Sequence, residues 1–207
     1  VRVSGDEAPL ELVITDAGCR YGIDVTAPLG VGFFPDMRLG HAAIGRLASG
    51  RRLLNLFSYT GAFSVRAAAA GATEVVSVDT AAKAHARARR NFELAGLDPD
   101  KHEQITADAQ KTLERFVERG RTFDLVVCDP PTFSHGPTSG ERFTVAKDLV
   151  SVVATALGVL APGGFLALAT NSTKLSPADV DRILAEGAAA RTVDVQIIER
   201  AGLPPDY

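Results

Sequence analysis

From Arg51 onward the chain alternates short apolar runs with longer stretches whose apolar residues recur at helical spacing. Arg51–Phe57, Glu74–Asp79, Glu103–Ala107, Phe123–Cys128 and Phe165–Thr170 have the length and composition of strands. Between them, Ala62–Ala70, Ala81–Ala95, Ala109–Glu118 and Phe143–Leu160 read as helices. Gly71 closes the first, Gly96 suits the left-handed position after the second, and Ala161-Pro162-Gly163-Gly164 stops the last. Ser176-Pro177-Ala178-Asp179 opens a further helix: serine caps free N–H groups, proline fits the first turn and the acid offsets the dipole. Thr192–Glu199 is expected as a last strand. Near-continuous apolar strands alternating with helices predict an α/β fold, a doubly wound, mostly parallel sheet with helices on both faces.

The first fifty residues follow another pattern. Leu10–Val25 alternates apolar and polar residues around Asp16-Ala17-Gly18, which predicts an appended β-hairpin. The expected organisation is an extension and lead-in over residues 1–40, followed by a ligand-binding α/β domain over residues 41–207. Leu203-Pro204-Pro205-Asp206-Tyr207 reads as a connection into a further strand, and the missing initiator Met implies a different N-terminus in the gene product.

Composition narrows the classes. A chain of 207 residues with 46% hydrophobic and 23% charged residues matches an ordinary globular domain. Cys19 and Cys128 lie far apart without metal-binding spacing, so no disulfide framework and no metal site are expected, and a reducing, cytoplasmic compartment fits. No apolar run reaches membrane-spanning length, so no membrane partner is expected. A net charge of −3 weighs against gripping nucleic acid by charge alone. Arg87, Arg89 and Arg90 cluster on one predicted helix, where a solvated face is the simpler reading.

In open α/β sheets ligands bind beyond the carboxyl ends of the strands, where the winding reverses. After the first strand comes Asn55-Leu56-Phe57-Ser58-Tyr59-Thr60-Gly61, with one glycine and several hydroxyls rather than a three-glycine dinucleotide fingerprint. That turn suits a nucleoside carrying an amino-acid tail, with Ser58, Thr60 and backbone N–H groups meeting a carboxylate. Asp79, ending the second strand before Thr80, can accept both ribose hydroxyls or merely offset a helix dipole. Asp108, followed by Ala109, can take an adenine amine or cap a helix. Asp129-Pro130-Pro131-Thr132-Phe133 delivers an acid, two prolines that cannot continue the strand, and an aromatic. This set can hold a planar, amine-bearing substrate, and Asp129, Pro130, Pro131 and Phe133 are the catalytic candidates.

The chain resembles the class I, Rossmann-like S-adenosylmethionine-dependent methyltransferases of bacterial large-subunit ribosomal RNA. The resemblance lies in GFFPDMR (Gly32–Arg38), LLNLFSYTGAFSVRAAAAGA (Leu53–Ala72), VVSVDT (Val75–Thr80), FDLVVCDPPTFS (Phe123–Ser134) and LAPGG (Leu160–Gly164). It implies methyl transfer from S-adenosyl-L-methionine, leaving S-adenosyl-L-homocysteine, and an RNA substrate. It also implies a cofactor pocket from Phe34, Asp36, Arg38, Asn55, Phe57, Ser58, Tyr59, Thr60, Gly61, Asp79, Thr80, Asp108, Ala109 and Asp129. Read alone, GFFPDMR is a turn before a helix, with Asp36–Arg38 as a structural ion pair.

Family members that make 5-methylcytosine place a nucleophilic cysteine at the end of the next strand, where this chain reads Ala169-Thr170-Asn171-Ser172-Thr173. Carbon-5 of cytosine needs a thiolate adduct before it attacks, so this departure favours a base nitrogen, guanine above all. Asn171 then becomes a candidate for the base edge and Lys174 for a phosphate, with plain solvation as the simpler reading of each. His135 is a loop residue that contacts substrate or is simply exposed. A small molecule or protein side chain remains the alternative substrate class, and an RNA-binding assembly module of the same fold the non-catalytic alternative. A nicotinamide-dependent dehydrogenase would share Asp79 but lacks its glycine fingerprint here.

Overall fold

Five parallel strands form the central sheet, and their order shows why the strand ends matter. The structure, a computed structural model, describes residues 9–27, 30–131, 145–172 and 174–207. Strands β3 (Arg52–Leu56), β4 (Glu74–Asp79), β5 (Glu103–Thr106), β6 (Phe123–Cys128) and β7 (Leu160–Leu168) lie in the order β5-β4-β3-β6-β7. The chain therefore builds outward from β3 to β5, then returns to lay β6 on the other side of β3. The winding reverses between β3 and β6, so a crevice is expected at their carboxyl ends.

Alternation along each strand sorts its residues onto two apolar layers. Leu53, Val75, Leu125 and Val127 face a cluster shared with α1 (Arg38–Leu47), α2 (Ala62–Ala69) and Phe92 of α3 (Ala82–Leu94). Leu54, Leu56, Val76, Val78 and Val126 face the other cluster, with α4 (Ala109–Glu118) and α5 (Val145–Gly158). Helix α6 (Pro177–Arg191) packs on α5 through Ile183. Its start is the expected one: Ser176 and Asp179 form a reciprocal capping box, with Pro177 in the first turn.

The hairpin is also as expected. Strands β1 (Glu11–Asp16) and β2 (Cys19–Asp24) pair antiparallel around Ala17 and Gly18, both at positive φ (47° and 83°), as a two-residue type I′ turn requires. Tyr21 of β2 is fully buried, with its ring centroid 4.8 Å from that of Phe33. The Gly22 N–H donates to Asn91 Oδ1 (2.9 Å), which ties the hairpin to α3.

Two expectations are corrected. Ala161–Gly164 does not end a helix but lies inside β7: Phe123 pairs with Leu160, and the next partners are Leu125 and Phe165. The intervening residues bulge out, since Pro162 has no N–H to give and Gly163 sits at φ 73°. Thr192–Glu199 is not a strand: Thr192, at φ 54°, ends α6, and the segment runs exposed over the surface with no paired strand among the described residues.

Candidate functional site

The loop leaving β3 carries an unusual backbone. Phe57 (φ 56°), Tyr59 (48°) and Gly61 (77°) are all left-handed within five residues. Side-chain-bearing residues hold that conformation only when their surroundings impose it. Here the Ser58 N–H donates to Val78 O (3.0 Å) and the Tyr59 N–H to Asp79 Oδ2 (2.8 Å), locking the loop to the end of β4. The Thr60 hydroxyl donates to Gly32 O (2.6 Å) and the Tyr59 hydroxyl to Gly30 O (3.0 Å), while Asn91 Nδ2 donates to Thr60 O (2.9 Å). A Cβ on Gly61 would stand 3.0 Å from that of Ala88, so α3 packs directly on this turn.

One polar group of this loop is left over. The Ser58 hydroxyl is buried and has no hydrogen-bond partner among the described residues. Beside it, Asp79 accepts one backbone N–H on each oxygen, from Tyr59 and from Ala81 (2.9 Å). Those bonds fix the carboxylate and leave further lone pairs on both oxygens. Thr80 is exposed. Asp108 caps α4, accepting from the Lys111 N–H (2.9 Å) on one oxygen, with Ala109 buried behind it.

Across the crevice, Asp129 follows β6 and is partly buried, between fully buried Cys128 and buried Pro130; Pro131 is exposed. Burial and the nearby Asp36 carboxylate push the Asp129 carboxyl up to about 6, and His41 pulls it part of the way back. The Ala169 N–H donates to Cys128 O (2.9 Å), so the chain leaves β7 alongside β6 and leads on to exposed Asn171. Phe133 and His135 lie outside the described residues.

The remaining candidates divide. Phe34 is half exposed, 5.5 Å from the Tyr59 ring between centroids, and Phe57 is partly buried. Asp36 sits in a 3-10 turn, Pro35–Met37. Arg38 pairs with Asp206, not with Asp36, so the local ion pair is not what forms. Asn55 is not at the crevice surface: it is 1% exposed and donates to Ser64 Oγ (2.9 Å), which shares a hydrogen with Ser77 (2.7 Å). Its amide is used to join β3, α2 and β4.

Sequence reasoning missed several supports. Asn91 links Gly22 to Thr60, and Arg87, read as one of a basic group, donates to Val31 O (2.7 Å) above Gly32. Arg89 pairs with Asp100. His41 Nδ1 lies 3.1 Å from Asp16 Oδ2. Partners 25 to 69 residues apart leave no local signal. Burial drives the Cys128 thiol strongly upward, as befits a core residue rather than a nucleophile. Among the described residues no cluster could hold a metal ion, and no helix is long and apolar enough to cross a membrane.

The family described as S-adenosylmethionine-dependent methyltransferase matches residues 3–207. The chain belongs to this family. Ribosomal RNA large subunit methyltransferase K/L of Shewanella sp. (strain W3-18-1) is 36% identical over 202 residues, covering 98% of this chain and 27% of that protein. The chain thus spans about a quarter of the length of that curated relative. Among solved structures, the protein SMU.776 in complex with SAH superposes with a TM-score of 0.88 at 29% identity, over 99% of this chain and 53% of that one. The SAM-dependent methyltransferase from Agrobacterium tumefaciens gives 0.82 at 31% identity, over 90% and 61%. This methyltransferase chain has the doubly wound sheet expected of it, with an added N-terminal hairpin.

Proposed function

We propose that this domain binds S-adenosylmethionine at the carboxyl ends of β3, β4 and β5 and methylates a nitrogen of a ribosomal RNA base, guanine above all. The observation that carries the reading is the unanswered, buried Ser58 hydroxyl next to the two-point-anchored Asp79 carboxylate. This donor set fits the cofactor. Ser58 has a hydroxyl to give to the amino-acid carboxylate, whereas the Thr60 hydroxyl proton already goes to Gly32 O. Asp79 has lone pairs for the ribose hydroxyls, and the free oxygen of Asp108 for the adenine amine. Gly61 lets the ligand and α3 come close to the same backbone.

When bound, the cofactor supplies a methyl group on a sulfonium, already activated for in-line displacement. What remains for the chain is positioning and acceptance of hydrogen bonds. On this reading Asp129 and the carbonyl of Pro130 accept from the amine edge of the base and Asn171 meets that edge, while Phe133, outside the described residues, is the aromatic candidate of the same motif. A nitrogen acceptor needs no covalent help. Carbon-5 of cytosine does, and both cysteines of the chain are buried, so no thiolate is on offer. The relative's name gives ribosomal RNA as the substrate class of that protein, and a ribosomal RNA substrate for this domain goes with the cytoplasmic setting proposed for it.

A small molecule or protein side chain is the second reading, favoured by the net charge of −3. The test is methyl-labelled S-adenosylmethionine offered with unmodified ribosomal RNA, total protein and a metabolite extract. Label on a guanine nitrogen of RNA supports the first reading. Label at carbon-5 of cytosine overturns the nitrogen assignment, and label only in protein or metabolites removes RNA. Cofactor binding without transfer to any pool favours a non-catalytic assembly module.

A further inference from the structure

Three consecutive carbonyls are held by side chains of the cofactor loop and of α3. Gly30 O accepts from the Tyr59 hydroxyl (3.0 Å), Val31 O from Arg87 Nη2 (2.7 Å) and Gly32 O from the Thr60 hydroxyl (2.6 Å). Val31 O also accepts from the Asp24 N–H (2.8 Å), at the end of β2. Residues 30–32 thus form a strap that leaves the hairpin and is fastened to the loop by hydroxyls. Among the described residues no backbone–backbone hydrogen bond joins 30–34 to 57–61. Gly30 (φ 78°) and Gly32 (φ 106°) hold conformations that favour glycine. A Cβ on Gly30 would stand 3.2 Å from the Tyr59 hydroxyl oxygen, and one on Gly32 would run into the Arg87 guanidinium.

A count of protons separates the three hydroxyls of this loop. A cofactor carboxylate offers lone pairs only, and a hydroxyl has a single proton to give. Tyr59 and Thr60 have given theirs to Gly30 O and Gly32 O, whereas Ser58 has not. Tyr59 also reaches in two directions. Its N–H donates to Asp79 Oδ2 (2.8 Å), and its ring lies 5.5 Å from that of Phe34, at the far end of the strap and half exposed. At φ 48° a glycine or asparagine would be the less strained residue. The bond from the phenol to Gly30 O is a reason for tyrosine that the backbone alone does not supply. A second tie to the hairpin runs separately: Asn91 accepts from the Gly22 N–H and donates to Thr60 O, both at 2.9 Å.

We propose that the Tyr59 and Thr60 hydroxyls serve the strap and not the cofactor: both are positioning residues that couple occupation of the Asp79 site to the segment leaving the hairpin. The coupling rests on the cofactor site proposed above. A ligand on Asp79 and Ser58 stills the loop, the two hydroxyls pass that order to residues 30–32, and the strap in return holds the loop ready for the ligand. Phe34, carried on the same strap, is set in place at the same time.

Two backbone amides report the two ties: Asp24, whose N–H goes to Val31 O on the strap, and Gly22, whose N–H goes to Asn91. Their hydrogen exchange is followed by NMR in the full chain, with and without saturating S-adenosylhomocysteine. In the wild type the ligand should slow exchange at Asp24 by about fivefold or more. In the double variant Tyr59→Phe, Thr60→Val that slowing should vanish at Asp24 and persist at Gly22, and the ligand should bind about fivefold more weakly. Binding that leaves wild-type Asp24 unslowed overturns the coupling alone, whereas no binding to the wild type overturns the cofactor site and the coupling with it. A double variant that keeps the slowing at Asp24, or loses it equally at Gly22, also overturns the coupling. Should the double variant not fold, Tyr59→Phe alone decides: slowing at Asp24 reduced more than at Gly22 upholds the proposal, and undiminished slowing overturns it.

Discussion

Ser58 buries a hydroxyl that no group among the described residues answers, and such a group costs stability unless something else completes it. Ser58→Ala should therefore leave the unfolding midpoint of the ligand-free protein unchanged or slightly raised, while weakening S-adenosylhomocysteine binding by about tenfold. Calorimetric titration beside thermal unfolding checks both halves, and a destabilised variant with unchanged affinity would contradict them. Asp129 makes a matching case at the other side of the crevice. Its carboxyl is held up to about 6, above the unfolded value, so ionising it costs the folded state as pH rises from about 4 through 6. Asp129→Asn should stabilise the fold at pH 8 by about 1–3 kcal/mol and have little effect at pH 4. Denaturant unfolding at the two pH values measures that difference. Asp79 and Asp129 were legible in the chain because strands deliver their last residues to predictable places. His41 and Asn91 were not, since each derives its role from partners brought near only by folding.

At the level of elements, the hairpin turn gives the clearest test of local chemistry. Ala17 sits at φ 47° ahead of Gly18, a conformation that costs an alanine and suits an asparagine. Ala17→Asn should raise stability by about 0.5–1 kcal/mol, read as a higher denaturant midpoint at unchanged slope. A lower midpoint would mean that the turn tolerates its alanine for another reason. Helices and buried strands were readable because 3.6-residue and two-residue periods are local, and so were their caps, as Ser176 and Asp179 show. Ala161–Gly164 misled because Pro and Gly punctuate the chain without saying whether a helix has stopped or a strand has bulged.

For the whole molecule, alternation of element types implied a doubly wound sheet, and the order β5-β4-β3-β6-β7 agrees. Thr192–Glu199 marks the limit of that reasoning, because a strand exists only when a neighbour accepts its hydrogen bonds, and alternation alone supplies none. The segment instead leaves Val193, Val195, Ile197 and Ile198 exposed. It and the residues after it are pinned by exposed ion pairs: Glu199 to Arg46, Arg200 to Asp181, and Asp206 to Arg38. Those pins weaken as salt shortens the Debye length, from about 10 Å at 0.1 M to 3 Å at 1 M, while sulfate strengthens apolar association. Light scattering should accordingly show particle size growing with ammonium sulfate well below ordinary salting-out, and Ile198→Lys should suppress the growth. A scattering curve that stays flat, or a variant that scatters like the wild type, would count against it. If the growth is seen, ionic strength acting on three surface contacts sets how this chain disperses, and low-salt buffers are the ones expected to keep it dispersed.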